Sequence, residues 1–294
     1  MNAPTAVRSP VQIGVLSFAH YHANFWSEVF AARGALTGVW DSDVTRGREA
    51  AARFGTDFFD NIDALLERCS GVAICSETVM HPELVECAAR RGLAILCEKP
   101  QGIDLPSCDR IARAVRAAGV PFMQSFPKRL DPVTAYLRAI VQSGELGRIT
   151  LVRIRHGHFY GLEPDFATRW YTDPARSGGG ASFCLAAADT SIEMYGTEGT
   201  VLVSGVDLAS RDITTEAFVR IFRRSQGERG WQKVPLVPRF KLGGFHQQNA
   251  VVFADCLERG ELPPTSVEDG RRASAMIAAA YLAAQTGRLQ EIVP

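Results

Sequence analysis

The segment Cys97-Glu98-Lys99-Pro100-Gln101-Gly102 sets a carboxylate beside an ammonium at the end of an apolar run, LAILC. A lysine there can hydrogen-bond a hydroxyl and ease the loss of its proton, more readily where burial lowers its pKa. Pro100 restricts the backbone of Lys99, because a proline disfavours the helical region for the residue before it. Taken alone, such a lysine is more often a solvated loop residue. A second chemical position is Asp41, at the end of the run LTGVW and 24 residues after Ser17. In a nucleotide-binding half, an acid there accepts hydrogen bonds from ribose hydroxyls and repels a 2′-phosphate. The same stretch, DSD, offers Asp41 or Asp43 as N-cap for a helix beginning near Thr45. Both roles can hold together.

The stretch VQIGVLSFAHYHANFW, residues 11 to 26, has the strand–turn–helix layout of a dinucleotide-binding turn. Such turns normally carry glycines, yet after Gly14 this one reads Ser17-Phe18-Ala19-His20-Tyr21-His22. If the helix N-terminus still faces a diphosphate, its amides form a phosphate site, with Ser17 and either His20 or His22 as further donors. Alternatively, the histidines and Tyr21 pack or face solvent. Ala19 adds one methyl where close approach is wanted. His22 falls where a third glycine would let helix and strand pack tightly.

The elements that must position these residues are legible. From Val11 to Ser125, the runs VQIGVL, LTGVW, GVAIC, LAILC and PFMQS alternate with amphipathic helical stretches. Gly34, Gly55, Gly92 and Gly119 each follow such a stretch, where a left-handed cap stops a helix. Continuous apolar runs alternating with helices predict a doubly wound parallel sheet. After the helix DPVTAYLRAIVQ the rhythm changes to strands: RITLVRIRHGHFYG, TSIEMYG, TVLVSG and TEAFVRIFRRS. Two helices follow, near 246–258 and 268–285. The expected fold is therefore α/β: a Rossmann-type parallel sheet, then a reduced α+β domain with an open, mainly antiparallel sheet. The expected boundaries are a flexible tail at 1–10, a dinucleotide-binding domain at 11–126, and a substrate and oligomerisation domain at 127–294. Its last helix is placed to pack back on the first domain.

Composition removes several alternatives. Of 294 residues, 46% are hydrophobic and 22% charged, as in ordinary globular proteins. Basic and acidic residues balance at 32 each, so no global field favours nucleic acid or anionic lipid. No apolar run is long enough to span a bilayer. Seven unpatterned cysteines fit reduced thiols in a cytoplasmic protein, with Cys75 and Cys97 as core residues.

The EKP after the fourth run, SGELGRI at 143–149 and W-x-x-DP-x-x-SGGG at 170–180 resemble the Gfo/Idh/MocA family. YGTEGT at 195–200 and the late VEDGRRA are similar to its later segments, so the likeness runs in order from Val11 along nearly the whole chain. The resemblance implies a nicotinamide-dependent oxidoreductase acting on sugars, inositols or related polyols, and Asp41 at the end of the second run favours NAD over NADP. It puts Lys99 in the catalytic lysine's place and Glu98 beside the nicotinamide ribose. Ser17, Phe18, Ala19, His20 and Asp41 fall on the cofactor side, with Ser76 and Glu77 in the turn after the third strand. His81 matches a histidine just before the next helix, and Trp170 borders the substrate pocket. A homo-oligomer assembled through the open sheet is implied too.

One departure bears on activity. In the family, SGGG opens a helix carrying Asp-x-x-x-His and a further aspartate, which line the substrate site with the lysine. Here SGGG runs into ASFCLAAADTSIEMYGTEGT, so the chain reads as internally shortened at Gly180-Ala181. His156 and His158 alternate on one strand, where they face either the cleft or a solvated sheet surface. They make no metal site, for no carboxylate or cysteine stands at suitable spacing. His246 reads as a cap or surface residue. Weak turnover is expected; the alternative is a non-catalytic dinucleotide-binding or interaction protein that keeps the fold.

Overall fold

The computed structural model describes residues 11–155, 163–179, 191–203, 219–236 and 244–292. The chain divides into two units: residues 1–126, 173–179 and 249–294 form the first, and 127–172 and 180–248 the second.

The first unit alternates strands and helices: β1 (Ile13–Leu16), α1 (His22–Ala32), β2 (Leu36–Trp40), α2 (Val44–Phe54), α3 (Ile62–Leu66) and β3 (Gly71–Ile74). It continues with α4 (His81–Arg90), β4 (Ala94–Cys97), α5 (Leu105–Ala118) and β5 (Phe122–Gln124). All strand pairs are parallel, in the order β2-β1-β3-β4-β5. β1, β3 and β4 are buried throughout, which is why they read as unbroken apolar runs. The four glycines expected to end helices all have positive φ. Trp26 and Phe30 of α1 are fully buried, and each such side chain contributes about 1.5–3 kcal/mol.

The second unit holds α6 (Pro132–Gln142), β6 (Ile149–Arg155), β7 (Ser191–Gly196), β8 (Gly199–Val203), β9 (Val219–Arg223) and β10 (Gln232–Val234). These strands form an antiparallel sheet in the order β10-β9-β8-β7-β6. Val201, Val203, Val219 and Ile221 alternate onto one face and pack with Val133, Leu137 and Ile140 of α6. Leu151, Val152 and Ile154 of β6 are exposed.

Between these strands, α7 (Pro174–Ser177) belongs to the first unit, as do the later helices: α8 (Gly244–Arg259) from Asn249 on, and all of α9 (Val267–Thr286). α9 lies on α5 and the end of β5. A capping box between Ser266 and Asp269 starts it, and Arg271 pairs with Asp109 at 2.7 Å. Gly270 lets its first turn come close, since a Cβ there would lie 2.6 Å from both Gln101 Nε2 and Gln124 Oε1. His156, His158 and the junction Gly180-Ala181 lie outside the described residues.

Candidate active site

Ladder hydrogen bonds carry the sheet one residue beyond its strands. Ser17 N–H donates to Trp40 O at 2.7 Å, Cys75 to Leu16 at 2.9 Å, Glu98 to Ile74 at 3.0 Å and Ser125 to Cys97 at 2.8 Å. Ser17, Cys75, Glu98 and Ser125 therefore stand in a row along the carboxyl edge. The strand order reverses between β1 and β3, the place where ligands of open α/β sheets bind.

At the opening turn, Ser17 adopts φ 73°, the left-handed conformation that a glycine would take without strain. Asp41 holds it there. Its Oδ2 accepts from Phe18 N–H at 2.7 Å, Ser17 Oγ at 3.2 Å and Arg46 Nε at 2.8 Å. Its Oδ1 accepts from Asp43 N–H at 2.9 Å and Arg46 Nη2 at 2.6 Å. Asp43, not Asp41, caps α2, accepting from Arg46 N–H at 3.1 Å.

Four amides of the turn, those of Phe18, Ala19, His20 and His22, are engaged within the chain. Beyond Phe18, Ala19 N–H donates to Ser17 Oγ at 3.1 Å, His20 N–H to Cys75 O at 2.9 Å, and His22 N–H to His20 Nδ1 at 3.2 Å. A diphosphate here must share or replace these bonds, unlike in a glycine-rich turn. Neither imidazole stands open to solvent. His20 is stacked on Tyr21, with ring centres 4.9 Å apart, and His22 is buried and faces Glu98.

The other end of the row carries the lysine. Glu98 is buried, and its Oε1 lies 3.7 Å from Lys99 Nζ, while its Oε2 is 3.1 Å from both His22 Nδ1 and Ser125 Oγ. Asn249 Nδ2 donates to Ser125 Oγ at 2.8 Å. The Lys99–Pro100 bond is cis. His81 Nδ1 faces the carbonyls of Pro100 and Gln101 at 3.1 and 3.2 Å, so this histidine holds the loop after β4. Burial lowers the pKa of His81, and burial with the Lys99 charge as second cause takes that of His22 far below the usual histidine range. Burial likewise pushes the thiols of Cys75 and Cys97 well up, which keeps them protonated.

His20, His22 and Glu98 offer ligand atoms within 4.8 Å of one another, a composition known from zinc sites. Two facts oppose a cation. The Lys99 ammonium already faces Glu98, and His20 Nδ1 accepts the His22 amide, which puts the proton of a neutral imidazole on Nε2.

In the turn after β3, Ser76 Oγ donates to the Glu77 carbonyl at 3.1 Å. Glu77 Oε1 accepts from Arg176 Nη2 at 2.6 Å, tying this turn to α7. α7 begins at the Asp173 cap and ends at Gly178, where a Cβ would fall 2.6 Å from Ile103 O. The stretch 173–178 thus docks on the loop that follows Lys99. Trp170 lies in the second unit, its ring centre 4.5 Å from that of Tyr171.

The residues suit a dinucleotide unequally along its length. Glu77 Oε2, His81 Nε2, Gln101 Oε1 and Asn249 Oδ1 are buried without a hydrogen-bond partner among the described residues. All four are acceptors, which the hydroxyl and amide donors of a nicotinamide riboside would satisfy; Glu77, whose other oxygen lies 3.9 Å from Arg46 Nη2, stands toward the Asp41 end. The phosphate end has the amides of Phe18, Ala19, His20 and His22 already committed.

Residues 11–126 match the family model described as "Oxidoreductase family, NAD-binding Rossmann fold", and 134–187 match the GFO/IDH/MocA C-terminal domain, together over half of the chain. The chain belongs to the Gfo/Idh/MocA family. The chain is 40% identical over 86 residues to a myo-inositol dehydrogenase of Streptomyces leeuwenhoekii, covering 29% of this chain and 26% of that one. It is 30% identical over 125 residues to an inositol 2-dehydrogenase of Rhizobium meliloti, covering 42% and 38%. The chain thus spans well under half the length of the curated Gfo/Idh/MocA relatives it matches. Among solved structures, a levoglucosan dehydrogenase in complex with NADH and levoglucosan superposes with TM-score 0.81 at 16% identity, covering 97% of this chain and 100% of that one.

Sequence reasoning missed Arg46, Ser125, Asn249 and Arg176. Ser125 had a signal, since it ends the fifth apolar run at the same edge as Lys99. Arg46 had a weaker one, five residues after Asp41 at the start of a helix. Asn249 had none.

Proposed function

We propose that this Gfo/Idh/MocA chain transfers hydride between NAD(H) and a hydroxyl or carbonyl of a sugar- or polyol-like substrate. One observation carries the reading: Lys99 stands beside a buried carboxylate at the carboxyl edge of the parallel sheet. The nicotinamide supplies the hydride chemistry when bound. Lys99 hydrogen-bonds the reacting oxygen and takes or gives its proton. Ser76, Glu77, His81 and Glu98 serve the cofactor side with the turn from Ser17 to His20, and Trp170 borders the substrate. Asp41 supports NAD over NADP. The names of the relatives, inositol and levoglucosan dehydrogenases, support the substrate class. The same reading takes the chain as a cytoplasmic homo-oligomer joined through its open sheet, with no nucleic-acid or membrane partner.

Turnover is slow on this reading, because SGGG is not followed by the family's histidine and aspartate. Loss of one positioned acid or base costs about 10²–10⁴ in rate. That observation also favours the second reading, a dinucleotide-binding protein without the chemistry. Absorbance of reduced nicotinamide, followed with a panel of inositols, aldoses and anhydrosugars, separates the two. Reduction abolished by Lys99→Ala supports the enzyme; cofactor binding without reduction for any of the panel supports the binding protein.

A further inference from the structure

The two oxygens of Glu98 are held differently. Oε2 lies 3.1 Å from His22 Nδ1 and from Ser125 Oγ, whereas Oε1 is 3.7 Å from Lys99 Nζ, beyond hydrogen-bond length. The Ser125 hydroxyl accepts from Asn249, so its own proton is committed to Glu98. A neutral imidazole has one N–H, and a carboxylate facing Nδ1 of the neutral His22 places it there. Groups from α1 and the end of β5 thus meet on one buried carboxylate, and Asn249 of α8 orients the second of them.

Left to itself, a carboxylate beside an ammonium closes to a charge-assisted hydrogen bond of about 2.7–2.9 Å. A lysine so engaged presents fewer N–H bonds to anything else. We propose that His22 and Ser125 are positioning residues that hold Glu98 off Lys99, so that the amine stays turned to the substrate hydroxyl. His22 stands where a dinucleotide-binding turn carries its third glycine, so on this proposal the turn gives up tight helix packing for a grip on the acid. Naming the hydroxyl rests on the hydride-transfer reading; the restraint itself does not.

Further groups surround the Glu98–Lys99 pair. His20 and Tyr21 of the opening turn pack on the His22 ring at 4.2 and 4.5 Å. Cys75 after β3, Cys97 of β4 and His81 of α4 also act on or feel Glu98. Burial keeps these two thiols protonated and lowers the affinity of His81 for a proton.

Amine reactivity tests the restraint in cofactor-free protein. Reductive methylation of Lys99 at one fixed pH is followed by peptide mass spectrometry, with the exposed Lys233 as internal reference. In His22→Ala and in the milder Ser125→Ala, the Lys99 rate should fall roughly tenfold relative to Lys233, the least that one added hydrogen bond to a charged group is worth. His22→Asn, whose amide nitrogen can stand at Nδ1, should keep the parent rate. Rates unchanged or raised in both alanine variants overturn the proposal. Where the parent reduces cofactor, His22→Ala should also lower kcat by about 10² with little change in cofactor affinity, and His22→Asn should restore it. A parent inactive on every polyol sinks the proposed function and leaves the labelling result to stand by itself.

Discussion

Arg46 and Asp41 form a two-pronged ion pair at the end of β2, Nε to Oδ2 at 2.8 Å and Nη2 to Oδ1 at 2.6 Å. With three further donors on the same carboxylate, its roughly four acceptor positions are filled. A ribose diol can reach Asp41 only by moving the guanidinium, whose charge meanwhile offsets the repulsion of a 2′-phosphate. Arg46→Ala should therefore tighten NADH binding, weaken NADPH binding and widen the margin between them. Calorimetric titration of parent and variant with both cofactors measures it. A margin that narrows would show that Arg46 serves the NAD ribose directly.

Asp41 itself carries more of the fold than a ribose acceptor needs to. It accepts from the buried Phe18 amide and fixes the left-handed Ser17. Asp41→Ser should cost about 1–3 kcal/mol, the penalty for one buried N–H left without an acceptor. Asp41→Asn, which keeps one acceptor oxygen, should cost less. Urea unfolding ranks the three proteins. Equal stability of all three would mean that the turn finds its acceptors elsewhere.

Acid should destabilise the first unit through its buried histidines. His22 and His81 have folded pKa values below the ordinary 6.5, chiefly from burial. Above that value both states are neutral and nothing is lost. As pH falls below it, the unfolded chain takes up protons that the folded chain refuses. Stability then drops by about 1.4 kcal/mol per pH unit for each such histidine until its folded pKa is reached. Urea unfolding from neutral pH downward should show this slope, reduced by one histidine's share in His22→Asn. Because His22 is neutral and turned to Glu98, acidification should not strengthen cofactor binding through this residue. Cofactor affinity that rises as the medium is acidified, and is lost in His22→Asn, would contradict this.

The parallel sheet was legible because β1, β3 and β4 are buried on both faces, so continuous apolar runs cannot be anything else when helices alternate with them. The placement of Lys99 and Asp41 just past the ends of β4 and β2 was legible for a related reason, since each follows a continuous apolar run. The role of His22 was not. Its partner Glu98 is 76 residues away, and only the strand order β1-β3-β4 brings the two within 3.1 Å. The amides of the turn were open donors by pattern, but a pattern does not show that Asp41, Ser17 and Cys75 would accept from them. Asn249 could be placed at Ser125 only by folding α8 back onto the first unit.

Gly270 gives the last expectation. Its missing side chain lets the start of α9 approach Gln101 and Gln124, whose terminal atoms would lie 2.6 Å from an added Cβ. Both side chains are buried and bonded. Gln101 Nε2 donates to Val267 O at 2.8 Å, and Gln124 Nε2 donates to the carbonyls of Cys97 and Glu98 at 3.1 Å each. Gln101 cannot rotate away without releasing Val267 of α9, nor Gln124 without releasing the carboxyl end of β4, just below Lys99. Gly270→Ala should therefore cost about 1–3 kcal/mol, as overpacking of a filled core does. It should also disturb Lys99, although the residue lies on another helix. Urea unfolding reads the first effect, and the methylation rate of Lys99 against Lys233 reads the second. A variant as stable as its parent, with Lys99 unchanged, would mean that the two glutamines yield and that α9 does not set the position of the lysine.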